Sequence, residues 1–185
     1  SLGRIARLYR PNIDIEYVIT DQEHAEPVRN LVEHHTRFRE LIDQWGFERI
    51  LPYGRGITTL FSGPSGTGKT LLANALATAI EAPILSISGA DIPKGTGGEA
   101  VLRDLFTEAT LRDAVVLIDE CDALFGKRDP RLAAAFQNME AFTGILILIT
   151  NHPELLDDAL ERRILYHFPF ELPDMDMRLR IWVAH

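Results

Sequence analysis

The sequence predicts an α/β domain built on a parallel sheet with helical crossovers. Three observations carry this. From residue 57 onward, short strand-like runs alternate with helix-like runs, the order in which a parallel sheet is wound. The runs "VVLI" (115–118) and "ILILI" (145–149) are apolar on both faces, as strands covered on both sides are. A glycine-rich turn, "GPSGTGKT" (63–70), separates the first strand of the series from its first helix.

In chain order, residues 1–50 read as an N-terminal extension. Arg4, Arg7 and Arg10 make a small basic start, read as a flexible solvated arm. "IDIEYVIT" (13–20) alternates and predicts a short strand or an extended lead-in. Val28, Leu31, Val32, Phe38, Leu41, Ile42 and Trp45 recur at near-helical spacing and predict a helix over 27–45 that packs on the core. "LPYGRG" (51–56) is a turn. The α/β domain, 51–171, then runs strand 57–62, helix 69–81, strand 83–88, helix 99–111, strand 114–119, helix 131–142, strand 144–150, helix 154–163 and strand 164–168, a five-stranded sheet. Residues 172–185 start another helical unit. The chain begins with Ser and stops inside that unit, so it reads as a fragment of a longer protein.

Composition bounds the function. The 185 residues, 46% of them hydrophobic, suffice for one domain with a sizeable core. A net charge of -8 argues against a fold-wide basic face for nucleic acid. No apolar run approaches the roughly 20 residues a membrane span needs. The start, "SLGRIARLYR", has no long apolar region of a secretory signal. A single cysteine, Cys121, permits no internal disulfide and fits a reducing, cytoplasmic compartment. The six histidines have no metal-ligand spacing with Cys or clustered acids, and His34 and His35 read as surface. Met175 and Met177 read as packing.

Two motifs carry chemistry. Gly63, Pro64, Ser65, Gly66, Thr67, Gly68, Lys69 and Thr70, with Leu71 after them, fit a phosphate-binding loop between strand and helix. The glycines let backbone N–H groups turn toward a β-phosphate, and the helix N-terminus adds its dipole. Lys69 is placed to reach the β- and γ-phosphates of a nucleotide, and the Thr70 hydroxyl to ligate Mg²⁺; the motif by itself does not separate ATPases from kinases or GTPases. Downstream, "VVLIDECD" ends a buried strand in Asp119 and Glu120. Asp119 suits the Mg²⁺ hydration shell, and Glu120 suits a base that orients water. Asp122 reads as a cap or surface residue. Cys121, beside acids, has no nucleophile role. Asn151 ends the strand "GILILITN", where an amide either positions water or makes a turn. Arg162 and Arg163 end a helix, where they suit its dipole or reach into another protomer's site.

Together "GPSGTGKT", "VVLIDECD", "ILITN" and "LDDALERRI", in this order and spacing, resemble the AAA clade of the AAA+ ATPases over about Leu51 to Trp182. "WGFERILPYGRGITTLFSGPSGTGKT" and "CDALFGKR" look most like the AAA ATPases associated with phage-tail-like contractile injection systems. The resemblance implies a doubly wound P-loop NTPase core with a helical lid, beginning near Leu172 and mostly beyond this chain. It implies a homo-oligomer, usually a hexameric ring, that hydrolyses ATP to remodel or disassemble a protein partner. Lys69 and Thr70 take the Walker A place, Asp119 and Glu120 Walker B, Asn151 the first sensor. Arg162 and Arg163 take the place of paired arginines acting on a neighbour. It also makes "PKGTGGEA" (93–100) a pore loop, with Thr96-Gly97 where relatives usually carry an aromatic and an aliphatic residue. That departure, and the short segment "FGKRDPRLAAAFQNMEAF", count against processive threading and keep open an ATP-dependent assembly switch. A P-loop kinase is a second alternative, disfavoured by the adjacent Asp119 and Glu120 with Asn151 and the arginine pair.

Overall fold

The computed structural model describes residues 2–15, 18, 26–36 and 56–172. Six strands form one sheet: β1 (Ala6–Tyr9), β2 (Ile57–Ser62), β3 (Ile84–Ser88), β4 (Val115–Asp119), β5 (Ile145–Thr150) and β6 (Tyr166–Pro169), in the order β1-β3-β4-β5-β2-β6. The helices are α1 (residues 26–36), α2 (Lys69–Ala79), α3 (Thr96–Arg112), α4 (Asp122–Phe125), α5 (Leu132–Ala141) and α6 (Asp158–Glu161). The five strands from β2 to β6 pair in parallel, as the alternating pattern requires.

Side-chain alternation along the strands divides the core in two. Val116 and Ile118 of β4, with Leu146 and Leu148 of β5, face Leu102, Leu105 and Phe106 of α3 and Met139 of α5. Val115 and Leu117, with Ile145, Ile147 and Ile149, belong to the opposite cluster with Leu72 and Leu76 of α2. Val28 and Leu31 of α1 are buried in that second cluster. His34 Nδ1 lies 3.3 Å from the Tyr166 hydroxyl. Val32 packs against the same cluster, while Phe38, Leu41, Ile42 and Trp45 of the expected stripe lie outside the described residues. Helices therefore cover both faces, and every residue of β2 and β5 is buried.

Four expectations need correction. The basic start is no solvated arm: Ala6–Tyr9 pairs antiparallel with β3, Ala6 opposite Ile87 and Tyr9 opposite Ile84, making a sixth strand. Without it β3 would end the sheet with an open row of backbone groups. Of the two readings of 13–20, a short strand or an extended lead-in, the strand is not taken at the described residues 13–15 and 18. Helix α3 starts at Thr96 rather than residue 99, because Gly95 takes a positive φ of 75° as its N-cap. The expected helix 154–163 is a 3-10 turn, Pro153–Leu155, followed by the short α6. Extended Leu156 interrupts it, bridged to Gly126, and Asp157 N donates to Phe125 O at 2.8 Å. The remainder of the expected helix 27–45, most of the 51–56 turn and most of the lid lie outside the described residues.

Candidate functional site

Parallel pairing opens the C-terminal ends of β2, β4 and β5 onto one edge of the sheet, the usual place for a ligand in such folds. Ser62 is level with Thr150, and Gly63 N donates to Thr150 O at 3.2 Å. That brings Asn151 beside the glycine-rich turn. Gly63 has φ 136°, and a Cβ there would sit 2.0 Å from Phe170 O, so only glycine fits. The turn ends at Gly68, the N-cap of α2, which no side chain caps. The first-turn N–H groups of α2 thus have no acceptor from their own helix and none from a cap, a site suited to an anion.

Lys69 is buried, and its ammonium donates to Gly63 O at 2.7 Å and Pro64 O at 2.6 Å. Burial pulls its pKa down, opposed by the negative charge of Asp119. Thr67 Oγ1 also donates to Pro64 O, at 2.9 Å, so the loop is braced by its own side chains. A cleft of about 360 Å³ opens here, lined by Ser65, Gly66, Gly68, Lys69, Thr70, Leu71, Asp119, Ile149 and Asn151.

The acidic pair is held from both sides. Asp119, level with Ser88 across the β3–β4 pair, accepts from Glu120 N at 2.8 Å. Glu120 has φ 48°, a left-handed conformation that a non-glycine residue keeps only when its surroundings impose it. Ser88 Oγ donates to Glu120 Oε2 at 2.8 Å. Gly89 follows, where a Cβ would lie 2.6 Å from Glu120 O. Thr150 Oγ1 donates to Asp122 Oδ1, and His152 N donates back to Thr150 Oγ1 at 2.9 Å, so Asn151 stands between two anchored neighbours. Asp122, read from the sequence as a cap or surface residue, instead ties the end of β5 to the start of α4. Cys121 is fully buried, and burial, then Asp122 and Asp119, push its thiol far above the ordinary range, so it is no nucleophile.

The two arginines stand in different surroundings. Arg163 donates through Nε and Nη2 to Glu140 Oε1 at 3.0 and 2.6 Å, through Nη1 to Ala159 O at 2.8 Å, and lies 4.2 Å over the Phe136 ring. Arg162, the C-cap of α6, is exposed. Neither lines the cleft of its own chain. Sequence reasoning missed Ser88 and Thr150, whose partners lie 32 and 28 residues away and leave no local pattern.

Among the described residues no group of three or more His, Cys, Asp or Glu could hold a metal ion alone. Thr70 and Asp119 on one cleft are instead a pair of oxygen donors that fits a cation shared with a phosphate. Among the described residues no helix is long and apolar enough to cross a membrane.

A family model for "ATPase family associated with various cellular activities (AAA)" matches residues 59–172. The mitochondrial inner membrane m-AAA protease component YTA10 of Saccharomyces cerevisiae is 38% identical over 149 residues, covering 68% of this chain and 19% of that protein. The proteasome-activating nucleotidase of Methanocaldococcus jannaschii is 30% identical over 190 residues, covering 93% of this chain and 43% of that protein. The chain therefore spans less than half the length of either relative. The crystal structure of the FIGL-1 AAA domain in complex with ADP superposes with a TM-score of 0.72 at 25% identity, over 98% of this chain and 63% of that one. With the phosphate loop, the acidic pair and the sheet order in agreement, the chain belongs to the AAA family of ATPases.

Proposed function

We propose that this domain binds ATP with Mg²⁺ in the cleft at the sheet edge and hydrolyses it. One observation carries the reading: Lys69 and Thr70 of α2, Asp119 of β4 and Asn151 after β5 line a single cleft. The loop N–H groups and Lys69 hold the phosphates, Lys69 trading its loop carbonyls for phosphate oxygens. Bound Mg²⁺, held through Thr70 and Asp119, supplies charge neutralisation on the phosphates. Glu120 orients water for direct attack on the γ-phosphate, Ser88 fixes that carboxylate, and Asn151 is a second polar contact. Arg162, exposed at the end of α6, completes the site of a neighbouring copy, with Arg163 holding the helix end in place.

The partner side extends this. We infer a cytoplasmic homo-oligomer, a hexamer in the full-length protein, that remodels or disassembles a protein partner. The motif resemblance to injection-system ATPases supports a contractile assembly as that partner. The exposed segment 93–97, the loop before α3 and the first residues of that helix, carries no aromatic side chain, which favours a second reading, an ATP-dependent assembly switch.

Phosphate release from ATP by the full-length protein tests the chemistry. Glu120→Gln is expected to lose roughly 100-fold or more in turnover, as loss of a general base does, while nucleotide affinity stays within threefold. Undiminished turnover in that variant removes Glu120 from the mechanism. Phosphate passed only to an added acceptor makes the protein a kinase. Turnover lost with assembly and partner binding intact supports remodelling over the switch.

A further inference from the structure

Arg131 is 3% exposed, a charged residue in the interior that the hydrolysis scheme does not use. It precedes α5, and its guanidinium reaches three places at once. Nη1 donates to Ile92 O, after the turn that follows β3, and Nη2 donates to Ala123 O in α4. Nε and Nη2 also donate to the Asp129 carboxylate at 2.8 and 2.6 Å. Both carbonyl partners lead back to the acidic pair. Ala123 N donates to Glu120 O at 3.0 Å. Ile92 N reaches Gly89 O at 3.4 Å, Ala90 N donates to Ser88 Oγ at 3.1 Å, and Ser88 Oγ donates to Glu120 Oε2 at 2.8 Å. The contacts close a ring: Glu120, Ala123, Arg131, Ile92, Gly89, Ser88, Glu120.

We propose that Arg131 is a positioning residue for hydrolysis: its guanidinium clasps the turn after β3 to helix α4 and so fixes Ser88 against the Glu120 carboxylate. A buried ion pair is a poor device for stability alone, since apolar residues of similar volume are often neutral or better. Here a planar fork is required, because it spans carbonyls on two elements while a carboxylate holds its other edge. Asp129 orients the fork, and its carboxyl is held below the ordinary range chiefly by those hydrogen bonds. Glu120 at φ 48° needs such bracing, since that backbone conformation persists only where its surroundings impose it. Residues 93–95 run from the Ile92 clasp into α3, so the clasp also links that exposed loop to the carboxylate.

The inference rests on the hydrolysis reading above. The test is steady-state ATP turnover by the full-length protein carrying Arg131→Lys, Arg131→Met, Ser88→Ala, or Arg131→Lys with Ser88→Ala, alongside thermal unfolding. A lysine keeps the charge beside Asp129 but cannot span both carbonyls; a methionine fills the space without charge. Expected is a kcat loss of about tenfold in each folded single variant with KM within threefold, as for a base misplaced by under an ångström. The double variant is expected to lose no more than twofold beyond either single one, since both break the same ring. The proposal fails if Arg131→Lys keeps kcat within twofold, if the losses multiply in the double variant, or if activity falls only as far as the folded fraction. Should Arg131→Met not fold, the lysine and alanine variants decide. A parent protein that releases no phosphate overturns the hydrolysis reading itself, a different result from a parent that turns over and variants that match it.

Discussion

Asp129 carries one of the clearest electrostatic consequences of any single residue. The Arg131 hydrogen bonds hold its carboxyl below the ordinary value, against the opposing effect of burial. A group with a depressed folded pKa stabilises the fold fully above its unfolded value of about 3.9, and that contribution is lost as pH falls through the folded value. Asp129→Asn is therefore expected to cost about 2–3 kcal/mol at pH 7, the scale of a hydrogen bond to a charged group. It is also expected to flatten the fall of stability below pH of about 4. Urea midpoints from pH 7 to 3 measure both, and parallel curves for parent and variant refute the assignment. Residue chemistry was the most legible level of the site: the loop from Gly63 to Thr70 and the pair Asp119-Glu120 are contiguous, so their chemistry is written locally. Ser88, Asp122 with Thr150, and Arg131 were not legible as a network. Their partners lie 32, 28 and 39 residues away, and only the packing of strands, turns and helices in the finished fold brings them together.

Among the elements, β2 shows what burial on both faces demands. Thr59 is fully buried between β5 and β6, opposite Ile147 and Tyr166, and its hydroxyl has no hydrogen-bond partner among the described residues. Thr59→Val keeps the shape and removes the orphaned oxygen. It is expected to stabilise the fold by about 1–2 kcal/mol, a rise in melting temperature of roughly 2–6 °C. A calorimetric loss of stability would mean the hydroxyl is satisfied in solution. The positions of β4 and β5 could be read because runs buried on both faces are unmistakably apolar. The boundaries of β1 and α6 could not. The four residues of β1 pair along the outer edge of β3, and α6 is preceded by the Gly126–Leu156 bridge, both contacts between segments far apart in sequence.

For the whole molecule, the doubly wound sheet sets the nucleotide cleft at the ends of β2, β4 and β5 and places Arg162 outside that cleft. One copy thus lines its cleft with the phosphate loop, Asp119 and Asn151, while Arg162 is exposed elsewhere on the surface. A site completed by a neighbour is the central claim. The measurement that tests it most directly is ATP turnover per protomer against protein concentration, for the full-length protein and its Arg162→Ala variant. The account predicts a specific rate that climbs with concentration to a plateau, and a variant that assembles and binds nucleotide yet turns over at least about 100-fold more slowly. A flat rate, or an Arg162→Ala variant as fast as its parent at every concentration, contradicts it: each copy would then work alone, or nucleotide would act only as an assembly switch.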